Sequence, residues 1–318
     1  MVNRGSSEKM EINFKMDKRG IFFSVLAISL LSLFILSYGV YSVVQERESI
    51  SKRISSMNNF VFLVEEDLPR QLYISGYRII FLFEKEITES GDYINDLNSS
   101  FEDCFFNGSL NDVEQELMEG VTFDGIVDSL NQKGSKVNVN LSLFNPLIRI
   151  YQSDPWNVRL DFTCDLFIYD RGGLALWNRS YSHSVYIPIE NFEDPLYVVE
   201  TGGLVVNEIN KTIYSGFVSG EDVFNLTGHV VNSYYVASDL GPSFLDRLQG
   251  RFSANPNGIE SLVYLPELSS QGVSVKDKSC VDYIYFSENS PSSCNINGMS
   301  SWFKLDSAHL SKYEVTCA

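Results

Sequence analysis

The sequence predicts an α+β protein. A long N-terminal helix, transmembrane and then stalk, leads into a mostly antiparallel, β-rich extracellular domain. Three observations predict it: an uncharged apolar run near the start, a heptad stripe directly after it, and a switch to period-two alternation beyond residue 136.

The apolar run is Ile21 to Val44, 24 residues without a charge. At about 1.5 Å per residue it is long enough to cross a hydrocarbon layer of about 30 Å. Phe22 and Phe23 lie near one end and Tyr38 and Tyr41 near the other, as interfacial aromatics do. Residues 1–20 form a basic leader with Arg4, Lys9, Lys15, Lys18 and Arg19 against Glu8, Glu11 and Asp17. Glu46, Arg47 and Glu48 follow the run. The basic excess belongs on the cytoplasmic side, so a single-pass topology with an outward-facing C-terminal body is expected. The run exceeds an ordinary signal-peptide core and lacks a small-x-small cleavage site after it, which favours a retained anchor.

Lys18-Arg19-Gly20 is followed directly by Ile21-Phe22-Phe23 and the apolar run. This junction resembles the leader of archaeal type IV pilin-like proteins, surface proteins with a class III signal peptide. The resemblance covers about the first 45 residues. It implies cleavage between Gly20 and Ile21 by a membrane peptidase on the cytoplasmic side, with the apolar helix kept in the mature protein. Val25 stands where the bacterial pilin pattern has a glutamate.

Residues 45–88 read as an amphipathic stalk helix. Ile50, Ile54, Met57, Val61, Val64 and Leu68 recur at spacings of 4, 3, 4, 3 and 4. The stripe is expected to pack on the chain's own domain, with other copies or other surface proteins as the competing partner. Pro69 is a candidate kink, after which Leu72, Ile79, Ile80 and Phe83 let the helix resume.

Residues 89–250 are expected to form the main α+β domain. Short helices come first, one of them starting at an Asn111 cap with Glu114 reaching back. A meander over 136–190 follows. Val137, Val139, Leu141 and Leu143 alternate, then Val158, Leu160, Phe162, Cys164, Leu166 and Ile168, and a third strand ends before Glu190. Asn145-Pro146, Asp154-Pro155 and Arg171-Gly172-Gly173 are the breaks. Leu204 to Ile213 reads as amphipathic. Val223, Leu226, Val230 and Tyr234 share a helical face, and Gly241-Pro242-Ser243 opens a helix over 244–248 that Gly250 stops. Residues 251–318 are expected to form a small β-rich subdomain, with strands at 261–265, 272–275, 280–286, 300–305 and 312–317.

The formal net charge is −17, and the leader is +2, so the rest is more acidic still. Such a body repels phosphate backbones, which argues against nucleic acid as a partner. The lipid bilayer is the partner the apolar run calls for. The five cysteines form no C-x-x-C pair, and the three histidines are far apart in sequence, so no metal site is expected. Cys280, Cys294 and Cys317 are the disulfide candidates. Pairing of strands 280–286 and 312–317 would bring Cys280 to Cys317. Six N-x-S/T sequons, at Asn98, Asn107, Asn140, Asn178, Asn210 and Asn225, are candidate glycosylation sites. Asp282, Glu288, Asn289, Asn295 and Asn297 surround a turn-rich loop whose oxygens suit calcium, without EF-hand spacing.

No phosphate-binding loop, dinucleotide fingerprint, H-E-x-x-H or G-x-S-x-G elbow occurs, so no cofactor is expected. The reading is therefore a non-enzymatic, membrane-anchored surface protein. The alternative is an anchored extracellular hydrolase or ligand-binding module, in which a pocket would gather His183, His229 or His309 with carboxylates.

Overall fold

The computed structural model describes residues 18–318; the leader call on residues 1–17 lies outside them. The chain divides into two compact units at Asn58/Asn59. Helix α1 (Lys18–Ser90) contributes to both.

In the first unit, every residue from Gly20 to Ser49 is exposed. Exposed Phe34, Ile35 and Leu36 show what that means, because water is a poor solvent for them. The segment is long and apolar enough to span a membrane. Its serines do not break it: Ser24, Ser32 and Ser42 each return a hydroxyl to a backbone carbonyl three or four residues earlier.

In the second unit, α1 supplies one wall of the core. Val61, Val64, Leu68, Leu72, Ile79, Ile80 and Phe83 are buried, so the heptad stripe from Val61 on packs within its own domain. Pro69 sits inside α1, which continues past it to Ser90. Packing of the flanking turns outweighs the backbone hydrogen bond that proline forfeits.

Short elements follow: α2 (Leu97–Asn107), β1 (Ser109–Leu110), β2 (Val113–Glu114), a 3₁₀ turn at Glu116–Met118, and α3 (Phe123–Ser135). The helix expected from Asn111 is absent. Asn111 and Asp112 take left-handed φ of 51° and 62° and form the two-residue loop of a β1–β2 hairpin, with Leu110 opposite Val113. Short polar side chains tolerate that conformation, and such a loop matches the strand twist.

The meander is β3 (Val139–Asp154), β4 (Asn157–Asp170) and β5 (Leu176–Pro188), antiparallel in that order. Asn145-Pro146 does not end a strand. It forms a bulge between Phe144 and Leu147, opposite Asp165 and Thr163. The extra residue reverses the parity of β3: Val139, Leu141 and Leu143 are buried before it, Ile148 and Ile150 after it. Val158 to Ile168 on β4 bury every second side chain, as the alternation requires.

Helix α1 lies directly on this inner face. A Cβ at Gly76 would overlap Leu160 Cδ1 and sit 2.7 Å from Ile187 Cδ1. Glu65 on α1 also pairs with Arg179 on β5.

The remainder is built of short pieces: α4 (Pro195–Glu200), α5 (Phe224–Val231), β6 (Tyr235–Ala237), α6 (Phe244–Leu248), β7 (Ile259–Ser261), α7 (Leu265–Ser270), α8 (Asp282–Phe286), β8 (Ser293–Asn295) and β9 (Lys304–Asp306). Strands β6 and β7 pair, as do β8 and β9. The α6 expectation holds: Ser243 and Asp246 form a capping box. The α5 face is also present, with Leu226 and Val230 buried.

Other expectations fail. Residues 204–213, read as amphipathic, form no helix or strand, and they bury Val205, Asn207 and Ile209 at alternate positions. Within 280–286, Asp282–Phe286 forms the helical turn α8, and Val281 makes only an isolated bridge with Leu262. All of Val281 to Phe286 are buried, which erases any period. Residues 272–275 and 312–317 form no strands, and 300–305 yields only β9.

Gly76→Val places two methyls against Leu160 and Ile187. We expect a loss of about 1–3 kcal/mol. In thermal unfolding this reads as a midpoint lower by roughly 2–10 °C.

Candidate functional site

The second unit contains one continuous buried polar cluster. Its centre is Arg247 on α6, whose side chain is fully buried. Arg247 Nη1 donates to Asp194 Oδ2 at 2.6 Å and to Asp282 Oδ2 at 2.9 Å, and Nη2 donates to the Ile259 carbonyl at 2.6 Å. Asp194 caps α4 through the Leu196 amide at 3.0 Å and accepts from the Tyr235 hydroxyl at 2.7 Å. Asp282 Oδ2 accepts from the Ser261 amide and hydroxyl at 2.9 and 2.8 Å. One guanidinium thus joins α4, α6, β7 and α8. Burial alone would drive the proton off Arg247, but the two carboxylates more than offset that and raise its pKa. For Asp282 burial dominates, and its pKa is raised despite Arg247.

Adjacent to it, through Ser261–Glu260 and Asp282–Tyr283, lies a second group. His309 Nδ1 is 2.9 Å from both oxygens of Asp306. Its Nε2 is 3.0 Å from the Tyr283 hydroxyl and 3.4 Å from Glu260 Oε2. Tyr313 donates to Glu260 Oε1 at 3.0 Å, and Ser279 donates to Asp306 Oδ2 at 2.8 Å. Burial opposes the charge on His309, but the hydrogen bonds and charges of Asp306 and Glu260 prevail and push its pKa up to about 9. Both carboxylates are lowered, against burial, by His309.

This is the gathering of histidine and carboxylates that the enzyme alternative requires, so its chemistry decides much. An imidazolium with both nitrogens donating has no lone pair to act as a base. His309, Glu260 and Asp306 are 1%, 0% and 3% exposed. A cleft of about 650 Å³ lies elsewhere, lined by Val218, Glu221, Asn297, Glu314 and Thr316. The geometry is that of a clamp.

The other histidines lie outside this group. His229 is buried among Phe217, Tyr234 and Tyr313 with Nδ1 3.1 Å from Thr212 Oγ1, and burial pulls its pKa down to about 4. His183 stacks on Tyr181 within β5. On α1, Glu84 is buried with Oε1 unpartnered. Burial first, then Glu193 and Asp194, push its pKa up to about 9.

The cysteines need correction. The disulfide joins Cys294 and Cys317, with Cα atoms 5.6 Å apart, and Cys280 is a buried free thiol. Cys280 lies in a bend before α8 rather than in a strand, so the register that would have carried it to Cys317 does not exist. The bridge closes a loop of 23 residues' separation, worth about 3 kcal/mol by chain entropy. The calcium grouping is also undone. Asp282 points at Arg247, while Asn295 and Asn297 donate to the Ser301 and Cys317 carbonyls. Among the described residues no set of three or more metal-ligating side chains is assembled.

Of the sequons, Asn98, Asn107 and Asn178 are exposed, whereas Asn140, Asn210 and Asn225 are half-buried. Asn140 and Asn225 are further occupied, donating to the Tyr169 hydroxyl and the Gly216 carbonyl. Gly20 and Ile21 lie in an exposed turn of α1. The sequence reading missed a surface feature. Phe62, Tyr73, Tyr77 and Phe81 on α1 are partly exposed, the last three at helical spacing, with Tyr77 also packed on Phe192.

No protein-family model matches the chain, and no curated protein or solved structure is significantly similar to it.

Two expectations follow. The folded-state pKa of His309 lies above its ordinary 6.5, so its contribution is complete below about pH 6.5 and is lost as pH rises through 9. That is on the order of 3 kcal/mol. Glu84, protonated in the fold, adds a slope of the same sign. Unfolding midpoints should therefore fall from pH 6.5 to 9, and His309→Gln should flatten that slope. Arg247→Met should destabilise by about 3–5 kcal/mol, because two buried carboxylates lose their counter-charge; chemical denaturation measures it.

Proposed function

We propose that this is a single-pass membrane-anchored surface protein, with its N-terminus cytoplasmic and its domain outside the cell, that works by assembly or adhesion. The observation that carries the reading is the uncharged run Ile21–Val44, every residue of it exposed within its own unit. An apolar helix of that length with no protein partner calls for lipid. The basic residues before it support the orientation. A disulfide in the domain fits an oxidising exterior.

The finer reading is a pilin-like minor subunit, processed between Gly20 and Ile21. The leader junction supports it, and the partly exposed Phe62, Tyr73, Tyr77 and Phe81 on α1 supply apolar surface for contact with other surface proteins. The closed state of the His309 clamp favours contact over chemistry as the mode of action.

Cell fractionation tests the anchor. The protein should stay with membranes through alkaline carbonate and be released by detergent. Leu30→Arg with Leu33→Arg, each costing about 2.5–3.5 kcal/mol in mid-bilayer, should shift it to the soluble fraction. Recovery of the unaltered protein in a detergent-free supernatant would refute the reading. N-terminal sequencing that begins at Ile21 supports processing, and a start at Met1 ends it.

A further inference from the structure

The fold treats the six sequons unequally. A sugar attaches to asparagine Nδ2 and brings bulk that must reach solvent. Asn140 and Asn225 are half-buried, and each commits Nδ2 to a partner, the Tyr169 hydroxyl and the Gly216 carbonyl, both at 2.9 Å. Asn140 Oδ1 also accepts from Arg171 at 2.8 Å. Asn210 is half-buried. Asn107 is exposed but donates to Asp103 at 3.4 Å. Asn178 is exposed, but its sequon hydroxyl, on Ser180, donates to Asp165 at 3.2 Å. Asn98 differs from all of these. It is exposed in the first turn of α2, and among the described residues no hydrogen bond engages its side-chain amide or the Ser100 hydroxyl.

Asn98 also lines a cleft of about 380 Å³ between α2 and β3, together with Phe101, Glu102, Arg149 and Tyr151. The cleft lies on an open stretch of sheet edge. On one side of it Asn131 caps Leu141: the Leu141 amide donates to Oδ1 at 2.8 Å, and Nδ2 donates to the Leu141 carbonyl at 2.9 Å. On the other side Asn257 Nδ2 donates to the Gln152 carbonyl at 3.0 Å. Leu141, Ile148, Ile150 and Gln152 all pair with even-numbered residues of β4, so they share one hydrogen-bonding phase and turn their backbone groups away from it. Leu141 and Gln152 are capped. Among the described residues nothing bonds to the outward groups of Ile148 and Ile150, and both line the cleft. Folded proteins ordinarily guard such an edge.

We propose that Asn98 carries an N-linked glycan whose first sugar lies in this cleft and covers the β3 edge. This rests on the outward-facing domain of the reading above. Asn98 Nδ2 attacks the anomeric carbon of a lipid-linked glycosyl phosphate, which a membrane transferase presents. The new C–N bond replaces the anomeric C–O bond, the phosphate leaves with the electron pair, and the amide releases one proton to solvent. The lining suits a sugar. The Tyr151 ring offers an apolar face to its C–H groups, while Glu102, Arg149 and the free backbone groups of Ile148 and Ile150 offer partners to its hydroxyls. The volume falls in the range of small-ligand clefts.

The test uses the full chain, extracted with detergent from the membranes of the cells that make it natively. Mass-spectrometric peptide mapping should find a sugar mass on the Asn98 peptide and none on the peptides holding Asn140 and Asn225. Asn98→Gln and Ser100→Ala should each remove it, and Ser100→Thr should keep it. Amide hydrogen exchange at Ile148 and Ile150 should be several-fold slower in the glycosylated chain than in Ser100→Ala, which leaves Asn98 in place. An unmodified Asn98 overturns the proposal, and so does a sugar mass that survives Ser100→Ala. Equal exchange rates overturn the seating in the cleft, and a sugar on Asn140 or Asn225 overturns the fold as the selector. Protease treatment of intact cells keeps the two readings apart. A domain cleaved with Asn98 bare removes the glycan alone, whereas a protected domain removes the outward topology as well.

Discussion

Arg247 is the constraint on which the C-terminal half depends. The elements there are helices and strands of three to eight residues, too short to persist alone. One guanidinium ties them together by bonding Asp194, Asp282 and a backbone carbonyl, over a shared apolar cluster that includes Leu196, Tyr197 and Phe286. An apolar filler of the same volume would pack as tightly without dictating which segments meet. The His309 group continues the same logic through the adjoining residues of β7 and α8. Specificity of arrangement is what these buried charges contribute to the interior.

The legible parts of the fold were those with long periods or local chemistry. The apolar run, the heptad stripe and the alternation along β4 each repeat often enough to be seen, and the Ser243 capping box is complete within four residues. The hairpin at Asn111-Asp112 was lost because the same two residues suit a helix cap and a left-handed turn; only the pairing of Leu110 with Val113 decides between them. Residues 281–286 were lost to burial, since a segment covered on all sides shows no amphipathic period. The clamp was illegible in principle. Arg247 lies 53 residues from Asp194 and 35 from Asp282, and no spacing rule links them.

The polar chemistry and the exposed apolar surface of this chain lie in different places. Histidines and paired carboxylates, the residues that attract attention in a sequence, are spent on the interior, where each nitrogen of His309 already has a partner. Large side chains that meet solvent include those of the first unit, Phe62, Tyr73, Tyr77 and Phe81 of α1, and scattered residues such as Phe144, Ile213 and Phe224.

The bulge at Asn145-Pro146 has one more consequence. Because it is one extra residue, the two halves of that strand turn opposite parities inward, and loss of a single residue there would close the bulge into a regular ladder, with Leu143 still opposite Leu166 and Ile148 still opposite Phe162.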